Sequence, residues 1–274
     1  MPDMTPGVPS ALSPLVRRIV APNPGFMTGP GTNTYLVGID EVAVIDPGPD
    51  DKQHIDAIVG ASMKERVRWV ILTHTHPDHA PGTPRLVKAT GAEVLAFAKR
   101  DPVVTPDRAI GDGAIIDGTE WGLEAIHTPG HAPNHLCFFL EEERVLFTGD
   151  HILNGTTTVV SPKTGGGMID YMNSLERLRK LRTARICPGH GDVIEEPKAK
   201  IDEYIAHRKL REKQILKELK AGPVKVPDIV KKLYTDTPDE LIEMAERQVH
   251  AHLLKLRTEG KVEGGSVKSA WKLA

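Results

Sequence analysis

Thr73-His74-Thr75-His76-Pro77-Asp78-His79 follows directly on the apolar run Trp69-Val70-Ile71-Leu72. The run reads as a β-strand, because aromatic and β-branched side chains fit a pleated surface, and the abrupt turn to polar residues at Thr73 marks its C-terminal edge. Three histidines and a carboxylate within six positions serve no packing purpose there. They supply neutral nitrogen and anionic oxygen, the donors that zinc, iron and manganese accept. Pro77 is expected to break the strand, so that side chains a few residues apart converge.

Three later segments repeat this punctuation of strand, then glycine or proline, then donor: His127-Thr128-Pro129-Gly130-His131, Phe147-Thr148-Gly149-Asp150 and Cys187-Pro188-Gly189-His190. Glycine beside a donor lets backbone approach an ion closely and permits positive φ. Together the segments offer His74, His76, Asp78, His79, His131, Asp150 and His190. Seven donors exceed the needs of one four-coordinate ion and suit two divalent ions that share a carboxylate and a hydroxide.

Outward from these motifs, short apolar runs at 34–37, 42–45, 93–97, 123–126, 136–140 and 145–147 predict further strands. Helical spacing appears at 51–63 and at 171–181, the second with Asn173 or Asp170 as its cap. Strands that first neighbour one another and then alternate with helices imply an α/β sandwich. Past residue 197 the texture changes. A long helix is expected over 197–220, with Ile201, Ile205, Leu210, Ile215 and Leu219 on its apolar side, and Gly222-Pro223 stops it. Helices at 226–234 and 238–257 and a glycine-turned hairpin over 261–273 follow, the element order of a winged helix-turn-helix.

The 274 residues allow two domains, and 39% apolar with 26% charged residues describes an ordinary globular chain. Two cysteines exclude a disulfide framework and fit a reducing compartment. Only 4% of residues are aromatic, which argues against a base-stacking platform. The first twenty residues hold four prolines and lack a charged start followed by an apolar core, so a cytoplasmic protein is expected, although a secreted enzyme already freed of its leader would read alike. No apolar run approaches the ~20 residues that cross a bilayer, so no membrane partner is expected. The net charge of −2 is a cancellation: residues 198–274 carry 17 basic against 12 acidic side chains, and the rest 18 against 25.

The set His74 to His79, His127 to His131, Phe147 to His151 and Cys187 to Gly191 resembles the metallo-β-lactamase superfamily. Gly29 to Gly38, Phe147 to Leu153, Asp170 to Leu175 and Ala206 to Glu212 further resemble its β-lactamase-like protein 2 group. The best-known animal member of that group is a mitochondrial single-strand-specific endoribonuclease that also carries a C-terminal winged helix. The likeness spans roughly residues 19–273. It implies an αββα sandwich over 1–197 followed by a winged helix over 198–274. It also implies one ion on His74, His76 and His131, a second on Asp78, His79 and His190, and Asp150 bridging both. Asp78 and Asp150 are the catalytic candidates, with Asp78 also placed to shuttle a proton. Zinc heads the metals implied, with iron and manganese as alternatives. Diiron oxidoreductases of the superfamily carry Glu where this chain has His76, which disfavours redox work. The 39 residues between Asp150 and His190 are too few for the domain inserted in the nuclease branch.

Two hydrolase readings follow. The first is a phosphodiesterase that cuts single-stranded RNA with a metal-bridging hydroxide; the second acts on small esters, thioesters or lactones. A nucleic-acid-binding regulator with a merely structural metal domain is a third reading, disfavoured by the complete donor set. The helix at 238–257 carries Glu240, Glu243 and Glu246, too acidic a pattern for reading DNA specifically. Packing, homodimerisation or walling the active-site cleft are the roles left to that domain. Among the remaining candidates, His127, His135 and His151 read mainly as structural, and Asp46 equally as a support for a ligand histidine or as a turn residue. Cys187 reads as packing, Asn33 and Thr34 as fixing a turn, and residues 154–170, with Lys163, as a substrate or lid loop.

Overall fold

The apolar runs do form strands, and most begin earlier or end later than the runs themselves. The computed structural model describes residues 4–97 and 103–274. In chain order the strands of the first part are β1 (Ser10–Ala11), β2 (Val16–Val20), β3 (Asn33–Val37), β4 (Glu41–Ile45), β5 (Arg66–Ile71), β6 (Glu93–Phe97) and β7 (Arg108–Ile110). They make one sheet in that order, antiparallel from β1 to β4 and parallel from β4 to β7. The parallel half is wound by α1 (Lys52–Ala61) and α2 (Thr83–Thr90). A second sheet runs β12-β11-β10-β9-β8, from β8 (Ile115–Asp117), β9 (Gly122–His127), β10 (Leu136–Leu140), β11 (Val145–Gly149) and β12 (Arg185–Pro188). Only β11 and β12 pair in parallel there.

Side chains alternate along each strand, so β5 serves two cores at once. Trp69 and Ile71 meet Phe138, Phe147 and Cys187 between the sheets, while Val70 and Leu72 face Ile55, Ile58 and Leu86 on the helical side. Such two-sided burial explains why the run is apolar without a break. Trp69 stands edge-on to Trp121, ring centroids 5.4 Å apart. The strand ends at Ile71, well before Pro77, so proline is not what breaks it. The Thr73 N–H instead donates to Asp46 Oδ1 at 2.8 Å, which draws the chain off the ladder.

The C-terminal part holds α4 (Pro197–Leu219), α5 (Val226–Leu233) and α6 (Ile242–Thr258), with a sheet ordered β13-β15-β14 from β13 (Val224–Lys225), β14 (Val262–Glu263) and β15 (Ala270–Leu273). Val226, Ile229, Val249, Leu253, Leu256 and Trp271 fill its core. Three expectations are corrected. Leu210 is 53% exposed, because the buried stripe of α4 passes through Arg208 and Glu212. The helix expected from 238 opens as a short turn, Asp239–Leu241, before α6 begins. The helix expected at 171–181 is α3 (Met168–Leu178), capped by extended Gly167 rather than by a side chain; Asp170 falls in its first turn, where negative charge suits the helix dipole, and Asn173 lies mid-helix.

The chain divides into two compact units. One contains Met1–Thr128, Asn134–Thr158 and Arg182–Pro197; the other contains Pro129–Pro133, Val159–Leu181 and Lys198–Ala274. α3 and the segment bearing His131 group with the winged helix. No helix among the described residues is long and apolar enough to cross a membrane.

Candidate metal centre

Asp46 is the residue on which the first unit's donors are hung. It follows β4 directly, is 2% exposed, and holds a left-handed φ of 51°, a conformation Asp tolerates better than most residues. Its Oδ2 accepts from Thr73 Oγ1 at 2.6 Å and from His79 Nδ1 at 2.9 Å. Thr73 Oγ1, having given its proton to Asp46, accepts from His74 Nδ1 at 3.0 Å. One carboxylate therefore fixes the tautomers of two imidazoles and leaves the Nε2 lone pair of each directed away from it. Asp46 is thus the histidine support that the sequence left as one of two alternatives. Thr73 joins it, unforeseen because a threonine at a strand edge carries no distinctive signal.

Four donors meet beyond His79. His79 Nε2 lies 3.5 Å from Asp78 Oδ2 and 3.2 Å from Asp150 Oδ1. His190 Nε2 lies 3.1 Å and 3.2 Å from the same two oxygens. One ligand atom from each of Asp78, His79, Asp150 and His190 falls within 4.8 Å of all the others. His74, His76 and Asp150 form a second such group, with His74 Nε2 3.0 Å from His76 Nδ1. His131, the remaining predicted donor, lies in the second unit, where its Nδ1 donates to the Val159 carbonyl at 2.6 Å.

The electrostatics demand positive charge. Burial opposes ionisation of Asp150, yet the His190 and His79 imidazoles hold its carboxyl well below the usual range. Burial likewise raises Asp78, and His79 and His190 outweigh it. Conversely, burial disfavours a proton on His190, but Asp150 and Asp78 push its pKa up to about 9. His79 also rises, against its burial, through Asp78, Asp150 and Asp46. The residues fit divalent ions on two further observations. His79 Nε2 is fully buried with no hydrogen bond of its own. Gly189 leaves room that a Cβ would fill, at 2.8 Å from Asp150 Oδ1 and 2.9 Å from His79 Cε1.

The strand end carrying His190 is tied down by Asn33, read from the sequence only as fixing a turn, and by Tyr35 and Arg18. Asn33 Nδ2 donates to the carbonyls of Pro188 (2.9 Å) and Gly191 (2.8 Å), and Tyr35 Oη donates to Pro188 O (2.7 Å). Arg18, 0% exposed, pairs with Asp192 at 2.9 Å. Thr34 Oγ1 donates to the Asp46 carbonyl at 2.6 Å, so it supports the other side of the site. His135 bonds Thr128 and its ring stands 5.1 Å from that of His74, whereas His127 stacks on Phe97 at 4.4 Å. His151 is buried 5.6 Å from the His135 ring. Cys187 is packed in the core, and burial pushes its thiol up to about 12, which makes it inert. Lys163 is 69% exposed, 3.6 Å from an equally exposed Glu243.

Residues 27–190 match the Metallo-beta-lactamase superfamily. The chain belongs to that superfamily. Residues 226–271 match the Beta-lactamase associated winged helix domain. The chain is 37% identical to a Beta-lactamase-like protein 2 homolog of Caenorhabditis elegans, over 96% of this chain and 91% of that one. It is also 37% identical to an Atrochrysone carboxyl ACP thioesterase of Aspergillus fumigatus, over 75% of this chain and 65% of that one. Among solved structures, a Beta-lactamase domain protein from Burkholderia ambifaria shares the fold with a TM-score of 0.86 at 20% identity, covering 99% of this chain and 96% of that one. A metallo-beta-lactamase family protein from Thermus thermophilus does so with a TM-score of 0.80 at 24% identity, covering 96% and 100%. The fold is therefore that of the metallo-beta-lactamases with a C-terminal winged helix. The superfamily is generally one of metal-dependent hydrolases, and this member carries His/Asp clusters positioned for metal.

Proposed function

We propose that the chain is a dinuclear metal-dependent hydrolase acting as a single-strand-specific, endoribonuclease-like phosphodiesterase. One ion is assigned to His74, His76 and His131, the other to Asp78, His79 and His190, with Asp150 shared. The observation that carries the dinuclear reading is the pair of donor groups that have Asp150 in common. Zinc is the ion preferred for this nitrogen-rich set. Two bound divalent ions supply hydroxide at neutral pH and neutralise charge developing on a substrate oxygen. The chain's own residues do the rest: Asp46 and Thr73 hold the imidazoles in the ligating tautomer, and Asp78, 27% exposed, is the carboxylate best placed to pass a proton to solvent.

The phosphodiester substrate is favoured by the likeness to the β-lactamase-like protein 2 homologues, which takes in nearly the whole of both chains, winged helix included. The thioesterase relative supports a second reading, hydrolysis of small thioesters or esters, over a smaller share of both chains. A direct comparison separates them: zinc-loaded protein is offered labelled single-stranded RNA, labelled duplex RNA and a panel of esters, thioesters and lactones, with chelated protein and Asp150→Ala as controls. Cleavage of single-stranded RNA, lost in both controls, is expected. Turnover confined to the thioesters or esters refutes the phosphodiesterase reading and leaves the dinuclear one. Full activity in Asp150→Ala refutes both.

A further inference from the structure

His131 is held by the unit that contains the winged helix, and its support there is specific. Gly130 takes a φ of 143°, and a Cβ on it would come within 2.6 Å of Tyr171 Cβ, so only glycine lets the segment lie against α3. The Gly130 carbonyl accepts from Gly167 N at 3.0 Å, and the Pro129 carbonyl accepts from Ser174 Oγ at 2.9 Å. The His131 ring is then fixed by its Nδ1–H bond to the Val159 carbonyl, 2.6 Å long. That bond places the proton on Nδ1 and the lone pair on Nε2, the form a ligand needs.

The Val159 carbonyl shares a peptide plane with the Val160 N–H, and a peptide plane moves as one rigid body. The Val160 N–H donates to Gln248 Oε1 at 3.1 Å. Gln248 lies on α6 and is 6% exposed, and Val160 is 0% exposed, so water does not replace the bond between them. Gln248 grips one end of the plane and His131 the other. Hydrogen bonds in such a chain also polarise one another, so the glutamine strengthens as well as aims the bond to the imidazole.

We infer that Gln248 is a positioning residue of the metal centre: through the Val159–Val160 peptide, the winged-helix unit sets the orientation and tautomer of His131. This rests on the reading of His131 as a ligand. It gives the C-terminal unit a task inside the hydrolase that needs no nucleic acid, and it puts a buried side chain of α6 to structural use instead of base reading.

The test uses the full-length protein with zinc. Gln248→Leu removes the acceptor at similar size, Gln248→Glu keeps an oxygen acceptor, and His131→Ala removes the imidazole. Zinc content and affinity are measured by mass spectrometry and chelator competition, ligand geometry by the absorption of the cobalt-substituted protein, and folding by circular dichroism. Gln248→Leu is expected to keep one ion at wild-type affinity and to bind the other about 10–100-fold more weakly, with altered cobalt bands, while Gln248→Glu retains both ions. His131→Ala losing one ion while Gln248→Leu keeps both at wild-type affinity would overturn the inference and leave the ligand reading intact. Both ions retained by His131→Ala would overturn the ligand reading itself. Should Gln248→Leu not fold, Gln248→Met carries the same comparison with an unbranched side chain.

Discussion

Replacing Asp46 with Asn separates the carboxylate's charge from its shape. Asn tolerates the left-handed backbone at φ 51° and so keeps the chain path, whereas Ala there adds ~1–2 kcal/mol of strain. The carboxylate receives three donors: Thr73 N on Oδ1, and Thr73 Oγ1 and His79 Nδ1 on Oδ2. An amide offers one oxygen. Turned towards Thr73 N, it presents its NH2 to the two donors on the other side. Turned the other way, it presents NH2 to the Thr73 N–H. Either orientation leaves a buried donor facing a donor, which costs about 1–3 kcal/mol of folding stability.

The consequence for metal is larger than that for stability. If the amide nitrogen faces His79, the imidazole must accept on Nδ1 and carry its proton on Nε2, the atom that lies 3.2 Å from Asp150 Oδ1. A protonated Nε2 does not ligate. Loss of such an orienting partner weakens metal binding about 10–100-fold, or ~1.4–2.7 kcal/mol. Thr73 loses its acceptor in the same orientation and no longer fixes His74, so both ions are affected. Chelator competition at fixed pH measures the two affinities, and urea unfolding of the metal-free protein measures the stability term separately. Asp46→Asn protein that binds both ions with wild-type affinity would refute the reasoning, whatever its stability.

Three other perturbations have definite outcomes. Gly189→Ala places a methyl 2.8 Å from Asp150 Oδ1 and 2.9 Å from His79 Cε1, so zinc affinity falls by at least about tenfold with little change in the fold; unchanged affinity by competition would show that the loop yields freely. Asn33→Ala strands the Gly191 carbonyl in a buried setting and leaves the Pro188 carbonyl with Tyr35 Oη alone, and is expected to lower stability by about 1–3 kcal/mol, read as a lower urea midpoint at constant slope. Burial lowers the pKa of His252 from 6.5 to about 4, a depressed folded value, so the unfolded chain takes up the proton first. Stability is then complete above pH 6.5 and is lost as pH falls through about 4, by up to about 3 kcal/mol. The margin of wild type over His252→Gln should shrink across that window, and parallel pH profiles for the two proteins would exclude His252 as the cause.

Much of the site was readable because its donors sit in short motifs, and what was not readable follows from chemistry. β2 escaped notice because Arg17 and Arg18 interrupt its apolar pattern; both are neutralised by distant partners, Glu65 at 2.7 Å and Asp192 at 2.9 Å. α2 is short and carries Pro84 in its first turn, which reads as a break although proline suits that turn. Leu210 misled because apolar identity was weighed above phase, and the phase belongs to Arg208 and Glu212. Residues 154–170 read as a substrate or lid loop; nothing in the sequence showed that Val160 bonds α6 or that the stretch from Val159 is part of the second unit. Gln248 was invisible for a simpler reason: it acts on a peptide 88 positions away, through backbone atoms that every residue shares.

The placement of the donors has one topological cause. Asp46 follows the last residue of β4, His74 comes three after the end of β5, His131 four after β9, Asp150 one after β11 and His190 two after β12. Every one lies just past the C-terminal end of a strand. β4 pairs with β5 in parallel, as β11 does with β12, so within each pair these ends lie on the same side. There the chain leaves its ladder, and backbone groups freed from strand pairing become available to hold side chains. The Thr73 N–H that bonds Asp46 is such a group, and so is the Pro188 carbonyl that receives Asn33 and Tyr35. The supporting bonds are thus supplied by the same strand ends that supply the ligands. A substitution within a strand should consequently disturb the centre only if it shifts where that strand stops, whereas a one-residue insertion between Ile71 and His74 should remove both Asp46 contacts of Thr73 at once.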